Sequence, residues 1–283
     1  MSSSRTDRIK TTRRLIIVGR VSLAAGGFVL LKSLGNKLGL DVLEMSPLFS
    51  ALVAASVFLL GFLLNGVLSD YKESEKLPGE LASALYLLAT EVKAVPIHTP
   101  GAQVQDDLEA IRDLGSSALR WIKGEINTDQ VMSSYELTHA HTVKASTWLA
   151  HSSLKGRLMI EMAAIMRCLN RIEVIRETDF AAMVYLLAYS AATILCVGLA
   201  LIKTDSTSFY NNSFFLFSLA WLLIFILHLI SDLDNPFGFS DMSSAEDVDL
   251  TILESTQIKL EKICQSYSDQ QDDQTIRVSN SNH

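Results

Sequence analysis

Apolar residues in this chain collect in four long runs, and the stretches between them read as polar or half-polar helix. Leu48 to Leu68 gives 21 residues without a charge, and Phe180 to Ile202 gives 23. Phe214 to Ile230 gives 17, in which only His228 ionises. Leu15 to Leu31 is also 17 residues long but carries Arg20 and the glycines Gly19, Gly26 and Gly27. A bilayer core about 30 Å thick takes roughly 17–25 residues of helix, so each run predicts a membrane span. In the first, Arg20 can reach back to the headgroups. A secretory signal is the alternative for that run, but it is long for an apolar signal core and no A-x-A cleavage site follows.

The region between the second and third runs predicts helices. Leu77, Leu81, Leu85, Leu88 and Val92 recur at helical spacing, and Pro96 and Pro100 should then break the chain. Asp106, Asp107 and Glu109 suit the start of a second helix, which carries Leu108, Ile111, Leu114, Leu119 and Ile122. Asn127-Thr128-Asp129 is an N-cap cluster for a third. A fourth should begin near Lys155 and can run on into the third span. No stretch alternates with period two. Gln265 to His283 has few apolar residues and predicts a disordered tail.

Composition sharpens this picture. The 283 residues are 49% hydrophobic and 19% charged, below the quarter or so usual for soluble chains, with mean hydropathy +0.27. Net charge is −7, from 24 basic and 31 acidic residues, and no dense basic stretch exists to line a nucleic-acid groove. Basic residues near the span ends divide unevenly. Arg5, Arg8, Lys10, Arg13, Arg14, Lys72, Lys76, Arg167, Arg171 and Arg176 lie on one side, and Lys32, Lys37 and Lys203 on the other. The positive side is the cytoplasmic one, so both termini and residues 69–179 are expected in the cytoplasm, with the chain in the cell's inner (plasma) membrane.

Candidate chemistry is sparse. Cys168, Cys196 and Cys264 are odd in number and lack C-x-x-C spacing, which fits reduced thiols with no disulfide framework or zinc site. His139-x-His141 would point its two rings about 200° apart on a helix, too far to share a metal ion easily. Surface or interhelical positions are the simpler reading for these and for His151. There is no G-x-S-x-G, H-E-x-x-H, Walker loop or G-x-G-x-x-G. No catalytic residue, metal site or cofactor is therefore assigned, and the chain is not read as an enzyme. Phe214, Phe215, Phe217, Trp221 and Phe225 form an aromatic stripe, read as lipid-facing or packing surface. His228 sits where a headgroup-boundary histidine would, though a pH sensor is the other reading.

Two segments carry more. The first is Ser56-Val57-Phe58-Leu59-Leu60-Gly61-Phe62-Leu63-Leu64-Asn65, continuing into Asp70-Tyr71-Lys72-Glu73. The second is Asp234-Asn235-Pro236-Phe237-Gly238, directly after the last span, followed by Asp249-Leu250-Thr251-Ile252-Leu253-Glu254. Both resemble the bestrophin family of anion channels, with an L-G-F step in the second span and an N-P-F-G turn after the last. The chain order is similar too: two spans, a long helical region, two spans and a tail. The sequence departs from the family pattern at Ser69-Asp70-Tyr71-Lys72, where typical members carry R-W-W, and at Thr178-Asp179-Phe180, where they carry T-P-x-P. Phe239-Ser240-Asp241-Met242 replaces the run of acids that binds calcium in animal members. The resemblance is thus to a divergent, prokaryotic member.

The resemblance implies an all-α membrane protein with four transmembrane helices and a cytoplasmic helical region. Its parts are a basic N-terminus (1–14), spans one and two (15–68), the helical region (69–179), spans three and four (180–232), a tail helix packing on the body (233–264) and the disordered tail (265–283). It also implies a homopentamer in contact with membrane lipids and inorganic ions, passing anions such as chloride. Ala54, Phe58 and Phe62 stand at i, i+4 and i+8 and share one helix face. Around a five-fold axis that face would stack apolar rings as a pore neck, with Asn65 as a polar group beside it. The alternatives are that Phe58 and Phe62 face lipid or pack, and that the protein is a non-conducting scaffold or regulatory protein. Gly61 and Gly66 would let neighbouring helices approach closely on either reading. Asn235, Pro236, Phe237 and Gly238 should end the last span, because Pro lacks an N–H and Gly admits positive φ.

The charge division makes a direct expectation. A cysteine introduced by Ser208→Cys should react with an impermeant thiol reagent added outside intact cells, and one introduced by Ser116→Cys should not. The reverse labelling pattern would invert the topology.

Overall fold

The computed structural model describes residues 3–40, 42–44, 46–177, 182–203, 209–234, 236–237 and 247–281. Among them every regular element is a helix: α1 (Ser3–Lys37), α2 (Pro47–Ser74), α3 (Leu77–His98), α4 (Gln105–Ile122), α5 (Thr128–Thr147), α6 (Ser152–Glu177), α7 (Ala182–Leu201), α8 (Phe209–Leu233) and α9 (Thr251–Ser281). The chain forms two compact units. One comprises Met1–Lys72, Thr178–Pro236 and Asp241–Asp247, and the other Glu73–Glu177, Phe237–Ser240 and Val248–His283.

The first unit holds all four predicted spans. Four helices are long and apolar enough to cross a membrane; three of these spans are Thr12–Lys37, Val184–Leu201 and Asn212–Leu233, and the fourth starts at Pro47. The core is Leu60, Leu63 and Val67 of α2, Ala188 and Leu195 of α7, and Leu223, Ile230 and Leu233 of α8. Helix α1 lies on α8 and α7, and among its described side chains it buries Val21, Ala25 and Lys32. The Trp221 indole N–H donates to Ser22 Oγ at 3.1 Å and ties α1 to α8. Gly39, at φ 69, closes α1. Its N–H bonds to the Asn36 carbonyl and the Leu40 N–H to the Gly35 carbonyl, the left-handed cap for which a glycine is suited.

Beyond that cap the chain meets the end of α7. The Leu43 N–H donates to the Leu201 carbonyl at 2.9 Å and the Lys203 N–H to the Leu43 carbonyl at 2.7 Å. Lys32, grouped by sequence with the loop charges, is instead inside α1 and 5% exposed. Its ammonium donates to the Ile202 carbonyl.

The second unit packs α3 against α6, α9 and α4, with α5 bridging α4 and α6. The predicted stripe on α3 is its core: Leu77, Leu81, Leu85, Leu88 and Val92 are all buried. The break comes later than expected. Helix α3 runs through Pro96 to His98, since a proline in the last turn forfeits a single backbone bond, and the chain turns at Gly101, φ 94. On α4 the buried positions are Leu108, Ile111, Leu114, Ala118 and Ile122, while Leu119 is only partly covered. Asn127 caps α5 reciprocally with Gln130, Oδ1 to N at 2.9 Å and N to Oε1 at 3.1 Å. The expectation that α6 runs straight into the third span falls on residues 178–181, outside the described residues.

Helix α9 is longer than composition suggests. It continues to Ser281 through the stretch read as a disordered tail. Tyr267 is buried there, its hydroxyl donating to the Ala102 carbonyl at 3.3 Å. Lys93 Nζ donates to Ser266 Oγ at 2.8 Å, and Gln257 Nε2 to the Arg112 carbonyl at 3.1 Å. Gln257 anchors the part of the helix the pattern predicts, and Ser266 and Tyr267 anchor the start of the stretch where hydrophobicity alone predicts none.

Of the turn after α8, Asn235 and Gly238 lie outside the described residues. Pro236 is buried, and Phe237, 5% exposed, belongs to the core of the second unit with Val248, Leu250 and Leu253. Truncating a phenyl ring in a packed core costs about 3–5 kcal/mol. Phe237→Ala should therefore lower the thermal unfolding temperature of the purified protein markedly, and an unchanged melting curve would show that the ring is not a packing anchor.

Candidate functional site

The surface of α2 is decided by what the helix buries. Ser56, Leu60, Leu63 and Val67 are buried at i, i+4, i+7 and i+11, a single strip along the helix. Leu60, Leu63 and Val67 pack into the first unit's core. Helical geometry then turns Ala54, Phe58, Phe62 and Asn65 to the opposite side. All four are exposed, Phe58 by 77% and Phe62 by 68%. The predicted neck residues and Asn65 thus share one strip, uncovered within a single chain. Gly61 and Gly66 bring no neighbouring helix close in that chain, because a Cβ at either position would meet no heavy atom within 4 Å.

The close approach lies at a glycine that sequence reading passed over. A Cβ at Gly198 of α7 would stand 2.6 Å from Cε2 of Phe49, so the Phe49 ring rests directly on the backbone of α7. Nothing in the run containing Gly198 distinguishes it as a notch, since its role depends on a ring about 150 residues away.

The aromatic stripe of α8 divides. Phe214 and Phe215 are exposed, whereas Phe217, Trp221 and Phe225 are partly covered, Trp221 and Phe225 stacking at 4.9 Å. At the end of α8 the Tyr185 hydroxyl donates to Asp234 Oδ2 at 2.7 Å. Just before α9, the Asp249 carboxylate accepts from the Thr251 N–H at 2.9 Å.

The histidines of the second unit that the sequence singled out lie apart. His139 is exposed and stacks on Tyr135, His151 is exposed, and His141 bonds through Nδ1 to Asp107 Oδ1 at 2.9 Å. Asp107 is 1% exposed, so that bond satisfies one oxygen of a buried carboxylate between α4 and α5, and Oδ2 has no hydrogen-bond partner. The three histidines converge on no common point, and no group of three or more His, Cys, Asp or Glu among the described residues could hold a metal ion. The cysteines are free. Burial, and after it the Glu80 carboxylate, pushes the Cys168 thiol up to about 11. Burial likewise raises Cys264.

Four long apolar helices in one unit and a second unit with an apolar helical core define an all-α integral membrane protein. The same arrangement occurs in solved structures of a bacterial bestrophin homolog from Klebsiella pneumoniae. One aligns with a TM-score of 0.63 at 16% identity, covering 90% of this chain and 98% of that one. A single-substitution variant gives 0.66 at 16% identity, covering 89% and 98%. Another gives 0.68 at 14% identity, covering 88% and 97%. The chain has the bestrophin fold. No protein-family model matches the sequence, and no curated protein does.

The thiols give a measurable consequence. A raised pKa keeps Cys168 and Cys264 protonated at pH 8, and the thiolate is the reactive form. Iodoacetamide at pH 8 should leave both peptides unlabelled in the folded protein and label both in guanidinium. Cys168 should become reactive in the folded state only as pH nears its raised value. Equal labelling of folded and unfolded protein at pH 8 would place these thiols in open, polar surroundings.

Proposed function

We propose that this protein is a bestrophin-like ion channel, assembled as a homopentamer and passing anions such as chloride through an apolar neck built by α2. The observation that carries the reading is the uncovered strip Ala54-Phe58-Phe62 on a chain with the bestrophin fold. Repeated around an axis, the strip makes stacked apolar rings. A constriction of that kind gates by drying out, and the positive edge of a phenyl ring tolerates a passing anion. Asn65, nearly one turn beyond Phe62, supplies an amide to an ion leaving the rings. The division of basic residues supports placing both termini, and the second unit, in the cytoplasm of a cell whose inner membrane carries the spans.

Apolar rings carry no net charge, so discrimination between chloride and sodium falls to groups near Asn65 and further along the path. The rings set whether water fills the neck. Phe58→Ala combined with Phe62→Ala removes the drying barrier and should raise conductance, or hold the channel open, in planar bilayers. Silent bilayers for wild type and double variant alike, with the oligomer intact, would replace the channel by a non-conducting scaffold of the same architecture.

A further inference from the structure

Helix α1 carries one charge inside its apolar run, and the fold leaves it uncovered. Between Leu15 and Leu31 Arg20 is the single charged residue, and it is exposed. It shares a face with Ile16 and Leu23, both exposed as well, while Val21, Ala25 and Lys32 turn inward. Among the described residues Arg20 has no ion pair or hydrogen bond. That exposure leaves the guanidinium open to approach from outside. Arg20 stands five residues past Leu15, about 7.5 Å along the axis at 1.5 Å per residue. At that depth a guanidinium requires an anion or a path to the headgroups.

We propose that Arg20 binds the phosphate of a membrane phospholipid in the leaflet nearest the N-terminus. The planar guanidinium offers paired N–H groups that match phosphate oxygens. Arg5, Arg8, Lys10, Arg13 and Arg14 precede it on α1, and a basic segment beside a span concentrates anionic lipid. The competing anion is a carboxylate from a second copy of the chain. None of the four apolar runs contains Asp or Glu. Among the described residues the exposed acids of the first unit are Glu44 and Asp70; both stand outside these runs, and Glu44 already faces Lys203 at 3.3 Å. A lipid phosphate reaches Arg20 from the headgroup layer with no such acid required.

Native mass spectrometry of the protein in an uncharged detergent, titrated with phosphatidylglycerol, reads retained lipid and subunit number together. Wild type should retain about one phospholipid per chain, held by a charge-assisted contact. Arg20→Met should weaken retention about tenfold at unchanged subunit number, and Arg20→Lys should keep part of it. If Arg20→Met does not accumulate, Arg20→Gln serves, with the same loss expected. Inorganic phosphate added alone should not displace the lipid. Undiminished lipid in both neutral variants would overturn the assignment. So would a changed subunit number at constant lipid per chain, which gives Arg20 to a neighbouring copy, or displacement of the lipid by inorganic phosphate, which makes the site one for small anions.

Discussion

A helix that buries one strip must present another, and for α2 the buried strip is Leu60, Leu63 and Val67 against α7 and α8. The rest of the site follows from that contact. With 3.6 residues per turn, a rotation of α2 by one residue would carry Phe58 or Phe62 well toward the core and lift a leucine out. The packing that fixes the rotation is van der Waals contact more than water exclusion, because lipid is as apolar as leucine and gives apolar surface little reason to seek a neighbouring helix. Shape therefore decides which face of α2 is inside. Large branched side chains fill the gap to α7 and α8, and the phenyl rings stay outside it.

The second unit obeys the other regime. Its core from α3, α4, α6 and α9 is the kind that water drives, each fully buried leucine contributing about 1.5–3 kcal/mol. Its polar interior is held by specific bonds, though Gln105 Oε1, Asp107 Oδ2 and Gln257 Oε1 are buried without a hydrogen-bond partner. Thr138, with no exposed surface, has its one hydroxyl proton between the Ser134 carbonyl at 2.8 Å and the Ala110 carbonyl at 3.0 Å, and Asp107 Oδ1 pairs with His141 Nδ1. Arg176 covers the buried Trp121 ring at 5.1 Å from its centroid and donates to the Trp121 carbonyl at 3.0 Å. At Gly115 a Cβ would stand 2.6 Å from Gln257 Oε1 and 3.2 Å from Leu260 Cδ1, so α9 lies against α4 at a distance only glycine permits without a shift.

Periodicity made most of this legible. The stripes Leu81-Leu85-Leu88-Val92 and Leu108-Ile111-Leu114 are core in the fold as in the pattern, because both depend on local helical repeat. The Asn127 cap was legible for the same reason. What escaped depends on distant partners. The burial of Lys32 needs the Ile202 carbonyl, 170 residues on. The anchoring of α9 just beyond Gln265, at Ser266 and Tyr267, needs Lys93 and Ala102. At the candidate site the spacing 54/58/62 already put three side chains on one face. That this face is the uncovered one required the opposite strip's partners on α7 and α8. What the strip faces was not legible, because that is set by whatever surrounds the single chain.

The rotation of α2 is keyed at a second place, and this bears on how firmly the strip is aimed. Phe49 lies on the same side of the helix as Leu60, Leu63 and Val67, about three to five turns nearer its start by helical count. Its ring sits on Gly198, where any side chain would collide. Near the same end of α7, residues 42 and 43 are bonded to Leu201, and Lys32 reaches Ile202. Helix α7 is thus the common strut to which α1, the connection after it and the start of α2 are all fastened. A contact only at Leu60–Val67 would let the early turns of α2 twist about that point. A notch at Phe49 together with a packed strip further on holds both ends of the segment that displays Ala54, Phe58 and Phe62. Apolar rings of the proposed kind need that constraint, since drying depends steeply on the width between facing side chains, and a strip free to roll would present leucines as often as phenyl rings.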